Sequence, residues 1–557
     1  MSDAPVQSFS VLHHRPIARP LGALGASAVV LAGLLGLFWF HRADFLSHFA
    51  ALSGDAGDTR LIAFLLEHQW QAILGHAPWT SPPMFFPTPG TLGYADAFVL
   101  QGLLYWPLRA LGCDVFTALQ WSTLLLNALN YVSMAWLLRR VLHLGALPTI
   151  AGSLLFAFNS AKFNQFVHLQ LQPLVLLPLM VALLVDLARR LPDLAPRGVF
   201  LRLAGFALLL DLQLLSGVYV AWFFGFFGLI ALVLAALLPS TRAWLQQSLR
   251  AQVRPLVGAG VVFLIGAIPF ALLYVPVLKA SGWRSYGDAQ GMIPHWYSLL
   301  AMGDGNVFWA WLEPLLPGFR EQAFFWEHRI GLGFVVTLAW LALVVSVMRA
   351  LRSVAGLARP GWPHALAILV LAVTAYYALG MTYLGRSPWW FAFHTVPGIK
   401  SIRAVSRYVI VLTLPMGIAL AWLIDALQPR LRVLGQVALV LLVGVAAFEQ
   451  VSTRAGYDKA TEIRRLNALA AQLPKDCDVF YVTAPPIGNA TNVSLQIDAM
   501  FVAQLTGIPT LNGYSGQAPK DWDGVFFVRS ADYPGHVRQW VQSHGVQGRV
   551  CALADPD

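Results

Sequence analysis

The stretch LGALGASAVVLAGLLGLFWF, from Leu21 to Phe40, is apolar throughout and carries no charged side chain. A helix of about 20 apolar residues is long enough to cross the hydrocarbon core of a bilayer. The stretch is too long for the hydrophobic region of a secretory signal peptide, and it lacks a small-x-small cleavage site. We therefore expect a retained membrane-spanning helix here.

The rest of the chain repeats this pattern. Of its 557 residues, 57% are hydrophobic and only 11% are charged, whereas soluble domains carry about 25% charged residues. This composition predicts a polytopic α-helical membrane protein. We expect about eleven spans, at residues 21–40, 116–138, 147–161, 172–188, 200–217, 218–238, 256–276, 330–348, 364–380, 408–425 and 433–449.

The net charge of +10 is concentrated in alternate loops. Pairs of basic residues follow several spans, at Arg139/Arg140, Arg189/Arg190, Arg242/Arg250, Arg349/Arg352 and Arg430/Arg432. This is the positive-inside bias, which explains the basic charge without a nucleic-acid partner. With Arg15 and Arg19 inside, eleven spans place every basic pair inside and the C-terminus outside.

Two regions outside the membrane are large enough to carry structure of their own. The first outside loop covers residues 41–115, within a membrane domain at 1–449. It contains the stretches Arg60–Leu74 and Ala95–Leu111, which we expect to form helices in the outer interface because each combines apolar residues with interfacial aromatic ones.

The tail, residues 450–557, predicts a small α/β domain. Its stretch Tyr457–Leu473 has helical periodicity. Three stretches are typical of buried strands, namely Val479–Thr483, Val525–Val528 and Val550–Leu553. Cys477 and Cys551 both lie in this tail, where a disulfide and two free thiols are equally compatible with the sequence.

A short acidic turn, Gly54-Asp55-Ala56-Gly57-Asp58, heads the first outside loop. In a helical turn the two carboxylates point the same way. Burial would raise the pKa of either carboxylate and make it a better general base, whereas a neighbouring cation or metal would keep it ionised. An isolated Gly-Asp pair is more often a plain solvated turn, so the turn by itself leaves both interpretations open.

Several other polar side chains lie in or beside the predicted spans, where a polar group is costly unless it is paired or lines a wet cavity. His168 and Gln172 are one helical turn apart. They either bind the hydroxyl groups or phosphate of a ligand, with His168 also able to bind a metal, or cap a helix end. Asp96 is suited to cap the helix after it, and it can also face a cavity. Glu327 adjoins a span and can reach the same cavity, whereas Asp211 lies deep in a span and indicates structural pairing.

Three cations, Lys400, Arg403 and Arg407, precede the tenth span on the outer side, against the positive-inside trend. In a helix they would share one face. Because the planar guanidinium group binds phosphate well, we favour a phosphate site, with Arg403 first, over a lipid-headgroup anchor.

Five short motifs give the chain a resemblance to the GT-C superfamily of integral-membrane glycosyltransferases, and in particular to an uncharacterised bacterial branch of it. The motifs are Gly54-Asp55-x-x-Asp58-Thr59-Arg60, Leu66-Glu67-His68, Ser81-Pro82-Pro83-Met84-Phe85-Phe86-Pro87, Leu92-Gly93-Tyr94-Ala95-Asp96 and Pro397-Gly398-Ile399-Lys400-Ser401-Ile402-Arg403. The resemblance covers most of the chain. It implies a catalytic acidic residue at the start of the first outside loop, and sugar transfer from a polyprenyl-phosphate donor. Many GT-C enzymes carry adjacent acids there, whereas Asp55 and Asp58 are spaced, which leaves the base undecided.

The resemblance also implies a role for each candidate residue. Asp55, with Asp58 next, is the expected base of an inverting transfer to a periplasmic glycan or lipid-linked acceptor. The donor phosphate is assigned to Arg403, Arg407 and Lys400. Substrate binding is assigned to His168, Gln172, Asp96, Glu327 and Glu67.

The expected partners are a polyprenyl-phosphate sugar lipid, the glycan or lipid-linked acceptor and membrane lipid, without nucleic acid. No Walker loop, GxGxxG, HExxH or CxxC motif occurs in a suitable context, so we expect no nucleotide cofactor, and a divalent metal stays open. Two other functions are kept as alternatives: a transporter or flippase of a lipid-linked glycan, and a non-catalytic membrane scaffold.

Overall fold

The computed structural model describes residues 22–488 and 490–555 of the chain. Arg15, Arg19 and Leu21, on which the predicted orientation and the start of the first span rest, lie outside the described residues. Within these ranges the chain is mostly helical, with four short strands.

The helices of the membrane domain follow one another with short connections, apart from the outside loops. The first eight are α1 (Ala23–Phe40), α2 (Arg42–Leu46), α3 (Asp58–Ile73), α4 (Val99–Ala110), α5 (Val115–Trp136), α6 (Ala146–Ala157), α7 (Ser160–Asn164) and α8 (Leu176–Arg190). The next eleven are α9 (Pro196–Ser216), α10 (Val218–Leu237), α11 (Pro239–Ala251), α12 (Val253–Gly266), α13 (Ile268–Ser281), α14 (Tyr286–Gln290), α15 (Phe334–Ala355), α16 (Trp362–Leu379), α17 (Trp389–Thr395), α18 (Tyr408–Leu427) and α19 (Val433–Phe448).

Seven helices in the described part of the chain are long and apolar enough to cross a membrane, or eight if the bent pair α11 and α12 is counted as one span. A multi-pass membrane protein is therefore confirmed, whereas the count of eleven is not. The predicted span 256–276 is broken at Ala267, where α12 ends and Pro269 begins α13, because proline fits the first turn of a helix but not its interior. The predicted span 147–161 is only a 12-residue helix, α6.

The core of the membrane domain is built around α18, which is buried along most of its length and packs against α6, α10 and α16. Helices α6 and α18 approach closely at Gly152 and Gly417. A Cβ atom at Gly152 would lie 2.7 Å from the carbonyl oxygen of Gly417, and one at Gly417 would lie 2.9 Å from that of Gly152. Only glycine fits at this crossing.

The tail forms a small α/β domain with the helices α20 (Lys459–Gln472), α21 (Asn492–Thr506), α22 (Asp523–Phe526) and α23 (Tyr533–Ser543). Its strands β3 (Val479–Thr483) and β4 (Val550–Ala554) pair in parallel, with Val479 opposite Val550. The predictions of these two strands and of a helix near 457–473 are confirmed. Cys477 and Cys551 form a disulfide between the ends of the two strands, which decides the question that the sequence left open.

The predicted strand Val525–Val528 is wrong, because Val525 belongs to the short helix α22. The side-chain amide of Gln496 donates hydrogen bonds to the carbonyls of Val525 and Phe526, at 2.6 and 3.1 Å. These carbonyls are therefore engaged by α21 and do not extend the sheet.

The tail is also joined to the first outside loop. Strand β1 (Ala51–Ser53) pairs antiparallel with β2 (Gly456–Asp458). Helix α3 is the first of the two helices predicted in this loop, and it is buried on all faces from Thr59 to Gln69. Arg60 on this helix is covered by the tail, where it pairs with Glu462 at 2.7 Å and with Asp498.

Candidate active site

A cavity of about 590 Å³ lies between the first outside loop, the ends of α9, α10 and α13, the segment before α18, and the C-terminal domain. Six of the residues predicted for the site line it, namely Asp58, Asp96, His168, Lys400, Arg403 and Arg407. These residues come from four separate parts of the sequence. The fold therefore brings an acidic group and a basic group together at one cavity.

Asp58 is the first residue of α3 and points its carboxylate at the cavity. Its Oδ1 accepts a hydrogen bond of 3.0 Å from the hydroxyl of Tyr514, and its Oδ2 lies 3.0 Å from Nε2 of His168. Burial opposes ionisation of Asp58, but the contacts with His168 and Tyr514 and the charge of Arg407 outweigh burial and lower its pKa below the usual value. Asp58 is therefore a carboxylate at neutral pH.

Asp55 does not line this cavity. Its side chain is exposed, and its Oδ1 accepts a hydrogen bond of 3.1 Å from the backbone N–H of Thr59. This contact satisfies one of the free N–H groups in the first turn of α3. The structure thus separates the two aspartates of the acidic turn: Asp58 faces the cavity and Asp55 caps a helix.

Behind His168 lies a buried ion pair between Arg407 and Glu327. The guanidinium of Arg407 donates two hydrogen bonds to the Glu327 carboxylate, at 2.7 and 3.0 Å, and its Nη2 also lies 2.9 Å from Nε2 of His168. Gln165 donates a further bond of 3.0 Å to Glu327. Although burial opposes ionisation of Glu327, the charge of Arg407 outweighs it and lowers the pKa of Glu327 to about 2. Glu327 does not itself line the cavity, and it fixes Arg407 beside His168.

The basic wall of the cavity consists of Arg284, Lys400 and Arg403. None of the three forms an ion pair with a carboxylate within the described ranges. Arg284 donates a hydrogen bond of 3.0 Å to the carbonyl of Gly516, and the charge of Arg403 adds to burial in lowering its pKa. Asp288 acts on Arg284 and Arg403 from a distance, but no carboxylate in the described part of the chain forms an ion pair with the wall, so its cations are available to bind an anion.

Asp96 also lines the cavity, and its side chain reaches the start of α10. Its Oδ1 accepts a hydrogen bond of 2.9 Å from the backbone N–H of Val218. Asp96 therefore caps α10, which is not the helix that follows it in sequence. Burial raises the pKa of Asp96 to about 6, against the opposing effects of the Val218 hydrogen bond and the charge of Arg407.

The remaining wall is apolar. It is formed by Phe270, Tyr274 and Val277 of α13, by Leu214 of α9 and by Trp222 of α10. An apolar wall beside a basic one suits a ligand with a hydrocarbon part and an anionic part.

Besides Glu327, two of the predicted substrate-binding residues do not line the cavity. Glu67 is buried in the middle of α3, where it accepts hydrogen bonds from Arg109 at 2.6 and 3.0 Å and from Tyr105 at 2.9 Å. Gln172 is buried against Gln165, whose carbonyl accepts its side-chain amide at 3.4 Å. Neither residue lines the cavity.

Sequence reasoning missed Arg284, Tyr219 and Tyr514. Arg284 lies in the segment 277–329, which the sequence predicts to be outside. The departure from the positive-inside trend that marked Arg403 could therefore have marked Arg284 as well. The hydroxyl of Tyr219 accepts the backbone N–H of Arg403 at 2.9 Å, and its ring lies 5.5 Å from the guanidinium of Arg407. No sequence signal marked Tyr219 or Tyr514.

Among the residues that the structure describes, no group of three or more His, Cys, Asp and Glu side chains is arranged to hold a metal ion. Asp58 instead has a histidine and a tyrosine hydroxyl at its two oxygens.

The fold is similar to that of a solved archaeal oligosaccharyltransferase. The archaeal oligosaccharyltransferase AglB from Archaeoglobus fulgidus, solved with an inhibitory peptide and a dolichol-phosphate, gives a TM-score of 0.51 at 12% identity, over 94% of this chain and 68% of that one. ArnT from Cupriavidus metallidurans, solved with undecaprenyl phosphate, gives a TM-score of 0.38 at 14% identity, over 88% and 89% of the two chains. No family model and no curated protein sequence matches the chain.

The similarity to AglB at this identity concerns the fold, and it confirms the GT-C-like architecture that the five motifs predicted. The class is thus a polytopic membrane protein of GT-C-like fold, with a small α/β domain on its C-terminal side.

Proposed function

We propose that this protein is an inverting glycosyltransferase that moves a sugar from a polyprenyl-phosphate donor to the hydroxyl of a glycan or lipid-linked acceptor. One observation carries the proposal: the ionised carboxylate of Asp58 and the unpaired cations Arg284, Lys400 and Arg403 line the same cavity, beside an apolar wall. The dolichol-phosphate in the AglB structure is a lipid of the proposed donor class.

In the proposed reaction the apolar wall holds the first part of the polyprenyl chain, and the basic wall holds its phosphate. Asp58 accepts the proton of the acceptor hydroxyl as that oxygen attacks the anomeric carbon. The bond between the anomeric carbon and the phosphate oxygen breaks, and the phosphate departs with the bonding electrons. Arg284 and Arg403 stabilise the charge that develops on it. A single displacement of this kind inverts the anomeric centre.

Asp58 is our choice of base, ahead of Asp55, since only Asp58 faces the cavity. Its low pKa makes Asp58 a modest base, but the carboxylate is ionised over the whole neutral range and can therefore accept a proton. His168, which contacts both Asp58 and Arg407, orients the carboxylate.

The C-terminal domain completes the site, because Tyr514, Ser515 and Gln517 line the cavity. We assign residues 1–449 to the membrane domain and 450–557 to this second domain, and we place the domain in the periplasm of a bacterial inner membrane, with the N-terminus in the cytoplasm. The acceptor then reaches the cavity from the periplasmic side.

The test uses purified full-length protein in nanodiscs, with a panel of labelled undecaprenyl-phosphate sugars and a cell-envelope extract as acceptor. The proposal expects label in the acceptor and one undecaprenyl phosphate released for each sugar transferred. Movement of an intact donor across a vesicle membrane, without bond cleavage, would instead support the flippase alternative. Binding of undecaprenyl phosphate to the cavity without transfer from any donor would favour a non-catalytic role.

A further inference from the structure

A second cavity lies on another side of the membrane domain and shares no residue with the candidate active site. It is an apolar groove of about 410 Å³ between α1, α6, α15, α18 and α19. Leu35, Leu154, Ala339, Leu423 and Leu442 are typical of its lining. Its lining along α19, from Leu439 to Phe448, covers about 13 Å at 1.5 Å per residue, which is the reach of part of an acyl chain.

One end of the groove adjoins a smaller pocket of about 140 Å³. The two share Trp39, Phe40, Phe163 and Ser452 in their linings. The smaller pocket, unlike the groove, is lined by two cations, Arg42 and Arg454. The apolar groove matches the acyl chain of a lipid, and the small basic pocket beside it matches an anionic headgroup.

The two arginines contact aromatic rings, and Arg454 also donates a hydrogen bond of 3.0 Å to the carbonyl of Phe163. The guanidinium of Arg42 lies 5.4 Å from the ring of Trp39, and that of Arg454 lies 5.3 Å from Phe163 and 5.6 Å from Phe166. Neither arginine forms an ion pair in the part of the chain that the structure describes.

Two carboxylates act on Arg454 from a greater distance, those of Asp55 and Asp304. Asp304 is itself paired with Arg329 at 2.9 Å. The positive charge of the pocket is therefore left mostly uncompensated beside an apolar groove, where an anion on a lipid would complement it.

We propose that this groove and pocket bind one anionic glycerophospholipid of the surrounding bilayer, with an acyl chain in the groove and the headgroup phosphate between Arg42 and Arg454. The occupant is a bilayer lipid and not the sugar donor, because the donor cavity lies elsewhere and has its own basic wall. The proposal is independent of the proposed function, since it concerns lipid retention alone.

The groove can be filled by one substitution with a matched control. A Cβ at Gly444, which lines the groove, or at Gly228, on α10, would meet no atom within 4 Å. Gly444→Phe therefore puts a ring into the groove without a backbone clash. Gly228→Phe adds the same ring to an exposed position outside it.

Native mass spectrometry of the full chain, released from nanodiscs containing equal phosphatidylglycerol and phosphatidylcholine, measures which lipid stays bound. We expect phosphatidylglycerol to be retained in preference, and Gly444→Phe to abolish that retention while Gly228→Phe keeps it. Arg42→Gln should reduce the preference for phosphatidylglycerol by about fivefold. Arg454→Gln should reduce this preference by a similar factor. If the Arg454 variant does not fold, the result for Arg42→Gln alone tests the basic pocket.

Three results would overturn the proposal. One is an equal retention of the two lipids by the parent protein. Another is an unchanged phosphatidylglycerol retention in Gly444→Phe. The third is displacement of the bound lipid by stoichiometric undecaprenyl phosphate, which would make the groove a second donor site.

Discussion

The hydroxyl of Tyr514 donates a hydrogen bond of 3.0 Å to Oδ1 of Asp58, joining two residues that are 456 positions apart in the chain. Asp58 begins a helix of the first outside loop, and Tyr514 belongs to the C-terminal domain. The contact makes this domain a part of the candidate active site. It also gives the domain a direct influence on the carboxylate that we propose as the base.

Tyr514→Phe should therefore shift the pH range over which Asp58 is ionised, without removing the base. Loss of the hydrogen bond raises the pKa of Asp58, and because the reaction needs the ionised carboxylate, the acidic limb of the kcat/KM profile should move up by about one pH unit. The measurement is the pH dependence of transfer. Tyr481→Phe, in the same domain but away from the cavity, is the control, and an unshifted profile in Tyr514→Phe would show that the contact does not tune Asp58.

The basic wall should act on the donor. Arg284→Gln and Arg403→Gln each remove a cation that has no carboxylate partner in the described structure, so folding should be little affected. The KM for the donor should rise by about tenfold, because a charge-assisted hydrogen bond contributes roughly 1.5–3 kcal/mol. Donor titrations measure this effect, with Arg386→Gln, an exposed arginine outside the cavity, as control. Equal KM values in all three variants would remove these arginines from the donor site.

The join between α3 and the C-terminal domain rests on Asp498. This buried carboxylate pairs with Arg60 and accepts a hydrogen bond of 2.9 Å from Nη1 of Arg465. Asp498→Asn should destabilise the fold by about 1.5–3 kcal/mol, since it removes one of the two carboxylates that pair with the buried Arg60 and leaves Glu462 as the other. Thermal unfolding in detergent measures the loss, with the exposed Asp523→Asn as control.

The effect of Asp498 should also depend on pH. Burial opposes its ionisation, but Arg60 and Arg465 outweigh burial and lower its pKa below the usual 3.8. Because the pKa of Asp498 is lower in the folded than in the unfolded state, its ionisation stabilises the fold fully at pH values above the unfolded-state pKa. This stabilisation is lost as the pH falls through the folded-state pKa. The difference between the parent and Asp498→Asn should accordingly be constant near neutrality and shrink below about pH 4. A difference that instead shrank on the alkaline side would contradict the ion-pair account.

The disulfide between Cys477 and Cys551 should stabilise the C-terminal domain. It closes a loop with a sequence separation of 74, for which the chain-entropy relation gives about 4 kcal/mol. The double variant Cys477→Ser/Cys551→Ser should unfold this domain at a lower temperature, whereas Cys113→Ser, at the free cysteine, should not. Limited proteolysis on heating reports the domain separately from the membrane helices. Equal resistance of the two variants would show that the bridge adds no stability.

Several features were predictable from the sequence because they depend on local pattern. Long apolar runs such as Leu21–Phe40 predicted membrane helices, a short apolar run typical of a buried strand predicted β3, and the motifs around Asp58 and Arg403 predicted the architecture. Cations in loops predicted to be outside depart from the positive-inside trend. This departure pointed to Arg403, and it applies equally to Arg284.

Other features depend on contacts between distant segments, which no local pattern reports. Asp55 and Asp58 are equivalent in sequence, and only the cap on Thr59 and the partner Tyr514 distinguish them. Val525–Val528 has the composition of a strand, but Gln496 occupies its carbonyls. Arg407 looked like a free phosphate ligand, whereas the structure pairs it with Glu327, 80 positions away.

The most direct test of the central claim compares Asp58→Asn with Asp55→Asn in the transfer of a labelled sugar from an undecaprenyl-phosphate donor, under single-turnover conditions. Both substitutions keep size and remove one charge. Asp58→Asn should lose about 10²- to 10⁴-fold in the rate of the chemical step, with donor binding retained, while Asp55→Asn should stay within a few-fold of the parent enzyme. Full single-turnover activity in Asp58→Asn, or a large loss confined to Asp55→Asn, would contradict the assignment of Asp58 as the base.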